Sequence, residues 1–149
     1  MAISVPDSVG LAWAQAVIAA IDAGGAAGNS SMISGPRPAN RGALTGSNTV
    51  LATHTLAYPC GTAAVRSFTI TAPAAAVATA AGTASFVRYY TSAGAVALDI
   101  DCILQSVWDA KTNDQKTLFG ACYVLNTLTV ENGVSVTYQA DLVIPEPNV

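Results

Sequence analysis

Between Thr83 and Ile103 the chain keeps a period of two, the period of a β-strand, and that run constrains the fold more than any other feature. In TASFVRYYT, Ala84, Phe86, Arg88 and Tyr90 alternate with Ser85, Val87 and Tyr89. Past the turn Ser92-Ala93-Gly94, Val96, Leu98, Ile100 and Cys102 alternate with Asp99 and Asp101. Successive side chains of a strand point to opposite faces, so two such runs joined by a Gly-bearing turn predict an antiparallel hairpin.

Shorter runs of the same kind predict strands at Ser31–Ser34, Val50–Leu56 and Arg66–Thr71. Near the C-terminal end, Tyr123–Val130 and Val134–Ile144 flank Glu131-Asn132-Gly133, a sequence suited to a hairpin apex because Asn and Gly both tolerate positive φ. Val134, Val136, Tyr138, Ala140, Leu142 and Ile144 alternate there with Ser135, Thr137, Gln139 and Asp141, one face for the core and one for water. Pro145 and Pro147 then end strand pairing. About seven or eight short strands with turns between them imply a mainly β fold, an antiparallel β-sandwich of jelly-roll or immunoglobulin-like topology.

One N-terminal helix precedes the strands. Val9, Trp13, Ala16, Val17, Ala20 and Ile21 recur at steps of three and four, with Ser8, Gln15 and Asp22 on the other side, which predicts a helix over 8–23 packing its Trp13 stripe on a sheet. Asp7 is placed to N-cap it after Pro6, and Gly24-Gly25 to stop it. The Ala-rich stretch Thr71–Ala84 reads as a linker between strands, since so short an Ala run does not hold a helix alone. Trp108–Gly120, with both lysines, reads as the most polar loop. The expected organisation is a single domain over 1–149: an arm and helix at 1–25, a sandwich at 30–145 and a short tail at 146–149.

Composition bears on function. The chain is 52% hydrophobic but only 10% charged, against about 25% charged in an ordinary soluble domain. A surface so poor in charge must present Ala, Thr, Ser, Gly and Asn, and interface cores share this depletion of Lys, Glu and Asp. Partners covering that surface are therefore expected. The net charge is −3 and the six basic residues are scattered, so the clustered basic stripe of a nucleic-acid binder is missing. Arg37 and Arg41, the one local basic pair, sit in a Pro/Gly loop. Cys60, Cys102 and Cys122 are odd in number and lack ligand spacing, which predicts buried free thiols. The N-terminal stretch has no basic region, carries Asp7 and Asp22, and is interrupted by Gln15, so neither secretion nor a membrane span is expected.

The residues able to carry chemistry each have a structural explanation. His54 is the sole histidine and falls in VLATHTL, where it reads as a satisfied strand histidine with Thr53 and Thr55 on the opposite face. Asp99 and Asp101 share a strand face and could pair or help bind Ca²⁺, but no calcium-loop pattern surrounds them, and they read as a solvated face. Gly24, Gly25 and Gly28 follow a helix, whereas a phosphate loop follows a strand; helix termination accounts for them. Phe86, Arg88, Tyr89 and Tyr90 could stack bases, but without a basic groove they read as core and interface aromatics. No catalytic, metal or cofactor residue is assigned, and an enzyme is not expected.

Three segments together resemble a known family: the helix closing as AAIDAGGAAG, the strand and loop ending GPRPAN with VLATHTLAYP downstream, and the hairpin GTASFVRYYTSAGAVALDID. They are similar to small phage-encoded proteins usually met beside capsid and head-assembly genes, with an I-x-G-x-RPA strand and loop and a GTA-x-(F/W)-(V/F)-R hairpin. ENGVSVTYQADLVIP resembles that family's last strand, while Trp108–Gly120 looks longer and more polar than its usual connection. The resemblance implies a bacteriophage head decoration, or cement, protein. It would be made in the bacterial host cytoplasm and lie on the capsid surface of the virion. There it would bridge subunits of the major capsid protein as a homo-oligomer, with a dimer favoured. The alternative is a neck, tail or fibre component with a receptor- or glycan-binding role, using Tyr58, Tyr89, Tyr123 and Trp108.

Overall fold

The computed structural model describes residues 6–112, 115, 123–125, 127–138 and 142–145. Helix α1 spans Asp7–Ile21. Its N-cap is Pro6, at φ −58°, whose carbonyl accepts the amides of Val9 at 2.9 Å and Gly10 at 3.3 Å. Asp7 is thus the first helical residue and not the cap expected from sequence: the fixed φ of Pro6 already sets the chain's entry, and a carboxylate in the first turn suits the helix dipole. Gly24 and Gly25, at φ +106° and +72°, end the helical path as expected.

The strands are β1 (Asn29–Ser34), β2 (Thr49–Thr55), β3 (Gly61–Ala64), β4 (Ser67–Ile70), β5 (Ala76–Val77), β6 (Gly82–Tyr90), β7 (Val96–Leu104), β8 (Tyr123–Leu125), β9 (Thr129–Val130), β10 (Ser135–Val136) and β11 (Leu142–Pro145), with a short helix α2 (Gln105–Asp109) after β7. The largest sheet runs β2-β1-β6-β7-β8, with β9 paired to the start of β6; β11-β4-β3 form a second sheet and β10-β5 a third. The chain is therefore mainly β with an N-terminal helix and antiparallel sheets. Among the described residues no sheet closes into a barrel. The hairpin of β6 and β7 stands as expected, with Thr91 N–H donating to Ala95 O at 2.9 Å across its turn.

Several expectations need correction. Among the described residues the second hairpin does not form: the turn exists, with Gly133 at φ +83°, but β9 pairs with β6, β10 with β5 and β11 with β4. Turn chemistry is local, whereas the choice of partner is made by packing. Val134, assigned to the buried face, is exposed, while Tyr138 and Ile144 are buried; Gln139, Ala140 and Asp141 lie outside the described residues. The pairing of β7 with β8 is parallel, a departure from the all-antiparallel expectation. β3, with the sequence GTAA, escaped notice because Gly and Ala carry little strand propensity. The Ala-rich linker contains β5. The Trp108–Gly120 loop starts inside α2, and 113–114 and 116–120 lie outside the described residues.

The core gathers Ala14 and Ile21 from α1, Met32, Ala52, Val87, Tyr89 and Ile100 from the large sheet, and Phe68, Ile70 and Ile144 from the three-stranded one. Trp13 is half-buried and tilts against Phe68, ring centroids 5.3 Å apart. Asp22, assigned to the polar side of the helix, takes the Cys60 amide on its carboxylate at 2.9 and 3.2 Å. It thereby ties the end of α1 to the entry of β3. Gly28 is not a helix terminator. A Cβ there would collide with the Tyr90 carbonyl oxygen, so this glycine lets the chain run close beside β6.

Candidate functional site

The densest polar arrangement lies on the face of β6 and β7 opposite the main core. Arg88 of β6 faces Asp99 of β7 in the strand register. Its Nε and Nη2 donate to Oδ1 and Oδ2 of Asp99, both at 2.7 Å, and both side chains are 1% exposed. The Arg88 Nη1 donates to Gly42 O at 2.8 Å, and the guanidinium carbon stands 5.7 Å from the centroid of the Phe86 ring. The Asp99 carboxylate holds the Arg88 guanidinium protonated against the opposing effect of burial.

The cover over this pair is the segment from Gly35 to Asn48. Arg37 Nε reaches Asp101 Oδ1 at 2.8 Å, and Arg41 Nη1 donates to Ala97 O at 2.7 Å. Asn48 closes the base of the segment, its Nδ2 donating to Ser34 O at 3.1 Å and Pro36 O at 2.9 Å. Asn40 and Arg41 both take positive φ, 53° and 57°, a left-handed turn that brings Gly42 O over Arg88. The reading of Asp99 and Asp101 as one solvated face is therefore overturned for Asp99: the GPRPANRG loop lies on that face. Asp101 and Arg37 are both 48% exposed, where an ion pair contributes about 0–1 kcal/mol. Arg37→Ala is accordingly expected to move the denaturant midpoint only by the equivalent of less than about 1 kcal/mol.

A second polar group sits in the core. His54 of β2 is 1% exposed, with Thr53 and Thr55 exposed on the other face. Its Nε2 is 3.1 Å from Val136 O, and its ring tilts at 4.6 Å against Tyr138. The Ser30 hydroxyl lies beside the Tyr138 hydroxyl. Burial pushes the His54 imidazole below its ordinary value of 6.5 and raises the Tyr138 phenol. It also pushes the Cys60 thiol up to about 12, with Asp22 adding to the shift, so Cys60 stays a protonated, poorly nucleophilic thiol. Cys60 is buried as expected; Cys102 is half-buried, and Cys122 lies outside the described residues.

Among the described residues, no group of three or more His, Cys, Asp or Glu side chains could hold a metal ion, and no helix is long and apolar enough to cross a membrane. No family model, curated protein or solved structure matches the chain.

Of the aromatic residues proposed for a binding groove, Tyr89 is fully buried and is removed from that set by its place in the core of β6. Tyr58 is 55% exposed, Trp108 is half-buried, and the Tyr123 side chain lies outside the described residues. Phe86 and Arg88 are likewise buried and present nothing for a base to stack on. The sequence placed Arg41 in a local basic pair and Asp22 on the polar side of α1 without giving either its partner, and it did not single out Gly42. The two non-glycine left-handed residues in ANRG are the one local sign that this loop is held to something.

Proposed function

We propose that this chain is a non-enzymatic structural protein of a bacteriophage particle: a head decoration protein that lies on the outside of the capsid and stabilises it by bridging subunits of the major capsid protein. Its sheets would pack as a sandwich of jelly-roll or immunoglobulin-like type. The observation that carries this reading is where the charge goes. Arg37, Arg88 and Arg66 pair with Asp101, Asp99 and Asp7, and Arg41 is held by a backbone carbonyl. The Arg88–Asp99 pair is buried and the Arg37–Asp101 and Arg66–Asp7 pairs are matched at the surface, so this charge-poor chain can leave a whole sheet face of Thr, Ala, Ser, Val and Pro without charge.

The outer face of the three-stranded sheet shows what results. Thr62, Thr69 and Val143 align in one row and Ala64, Ser67 and Pro145 in the next. Val143 is 61% exposed, and neither row holds a charge. Such a face suits burial against another protein through area and hydrogen bonds. The alternative, a neck, tail or fibre component that binds a receptor or glycan, loses Tyr89 from its aromatic set.

The reading is tested on particles of the phage that encodes the chain, prepared with and without it. Heat-induced DNA release is expected at a lower temperature without the protein, because a bound clamp stabilises the state it recognises. Binding should survive about 1 M salt, where screening reaches within roughly 3 Å. Hundreds of copies per particle are expected. Equal release temperatures, or about a dozen copies, would set the decoration reading aside in favour of a neck or tail part.

A further inference from the structure

His54 is buried where, among the described residues, no carboxylate compensates it. The groups facing it are the Ser30 backbone on β1, the Val136 carbonyl on β10 and the Tyr138 ring. Cys102 on β7 also acts on Tyr138. The phenol is held neutral by burial, so among the described residues no anion meets an imidazolium. The two backbone groups favour the charged form, and burial outweighs both.

Tyr138 anchors one end of the Val134–Tyr138 segment in the core, but among the described residues the strand pairing that holds the rest is short. Ser135 and Val136 pair with Val77 and Ala76 in a sheet two residues deep. Beyond it, Ala78 N–H donates to Val134 O at 2.8 Å and Gly133 N–H to Ala78 O at 2.9 Å. Val77 and Val134 are exposed. By contrast, β1, β6 and β7 share long ladders through the molecule's centre. Local opening begins where buried contacts are few, and the two-residue β5–β10 sheet, with Val77 and Val134 exposed, is such a place.

We propose that His54 is an acid-sensitive latch. While neutral it fastens the Val134–Tyr138 segment to β2; protonation releases that segment and leaves the β1–β6–β7 ladder closed. The sign follows from linkage. The open state titrates near 6.5 and the closed state lower, so below 6.5 the open form takes up a proton that the closed form refuses. The latch is fully held above that value and weakens as pH falls toward the lowered one.

Because His54 is the sole histidine, its ring proton resonance reports the titration without assignment. Its midpoint is expected below 6.5 in the native protein. Amide exchange, expressed as protection factors, should fall at Ala78 and Gly133 between pH 7.5 and pH 5, by up to about tenfold for each unit of pKa lowering. Val87 and Tyr89 of β6 should keep their protection. In His54→Gln, a neutral donor, the pH dependence at Ala78 and Gly133 should vanish. A midpoint at or above 6.5 would overturn the latch, as would pH-independent protection at Ala78 and Gly133 or an equal fall throughout the molecule. Should the Gln variant not fold, the titration and exchange of the native chain still decide.

Discussion

Asp99→Asn is expected to cost about 3–5 kcal/mol of folding free energy, the scale on which a fully buried ion pair fails when one partner is removed. Asn keeps the shape and one acceptor. It removes the charge, and Arg88, enclosed beneath Gly42 and beside Phe86, cannot reach water to recover what it loses. Because both side chains are 1% exposed, solvent screening does not soften the loss. Denaturant melts with an unchanged slope would show it as a shift in midpoint. Replacing both partners with apolar residues of similar volume should recover most of the stability, since the desolvation penalty of the pair then disappears as well. A change below about 1 kcal/mol in Asp99→Asn would mean that the loop does not seal the pair in solution.

Phe68→Ala should cost a similar amount, about 3–5 kcal/mol, by deleting a buried ring and leaving a cavity between α1 and the three-stranded sheet. Phe68 is 2% exposed. Trp13, on the other side of the contact, is half-buried, and Trp13→Ala should cost less, about 2–3 kcal/mol, because part of its ring never leaves water. The two losses should not add, since each variant removes the same ring contact. Additive losses would show that α1 is held chiefly by Ala14 and Ile21.

These two sites show how far the sequence could be read. The helix, its Gly24-Gly25 stop and the β6–β7 hairpin were legible because each depends on local periodicity and turn chemistry. Trp13 and Ile21 on the packed side of α1 followed from the same spacing, but Val9, Ala16 and Ala20 of that stripe are exposed and the fully buried Ala14 lay outside it. Asp99 was misread because alternation assigns a residue to a face without saying what lies over that face. A loop more than fifty positions earlier in the chain, reaching Asp101 through Arg37, turned an apparently wet surface into an enclosed one. His54 was legible as a strand histidine. Its partner Val136 was not, because the Asn132-Gly133 turn suggested a hairpin that would have taken β10 elsewhere.

The scattering of β9, β10 and β11 over three sheets also governs how the molecule folds. Phe68 of β4 waits for Ile144, Val77 of β5 for Ser135, and Gly82 of β6 for Val130. Each sheet is thus completed by sequence made long after its first strands, and closing such distant loops slows folding. During synthesis β4 and β5 stand with an open edge, as aggregation-prone templates. A premature stop after Glu131 should therefore unsettle two sheets at once, and chaperone dependence should end only when the last strand has emerged.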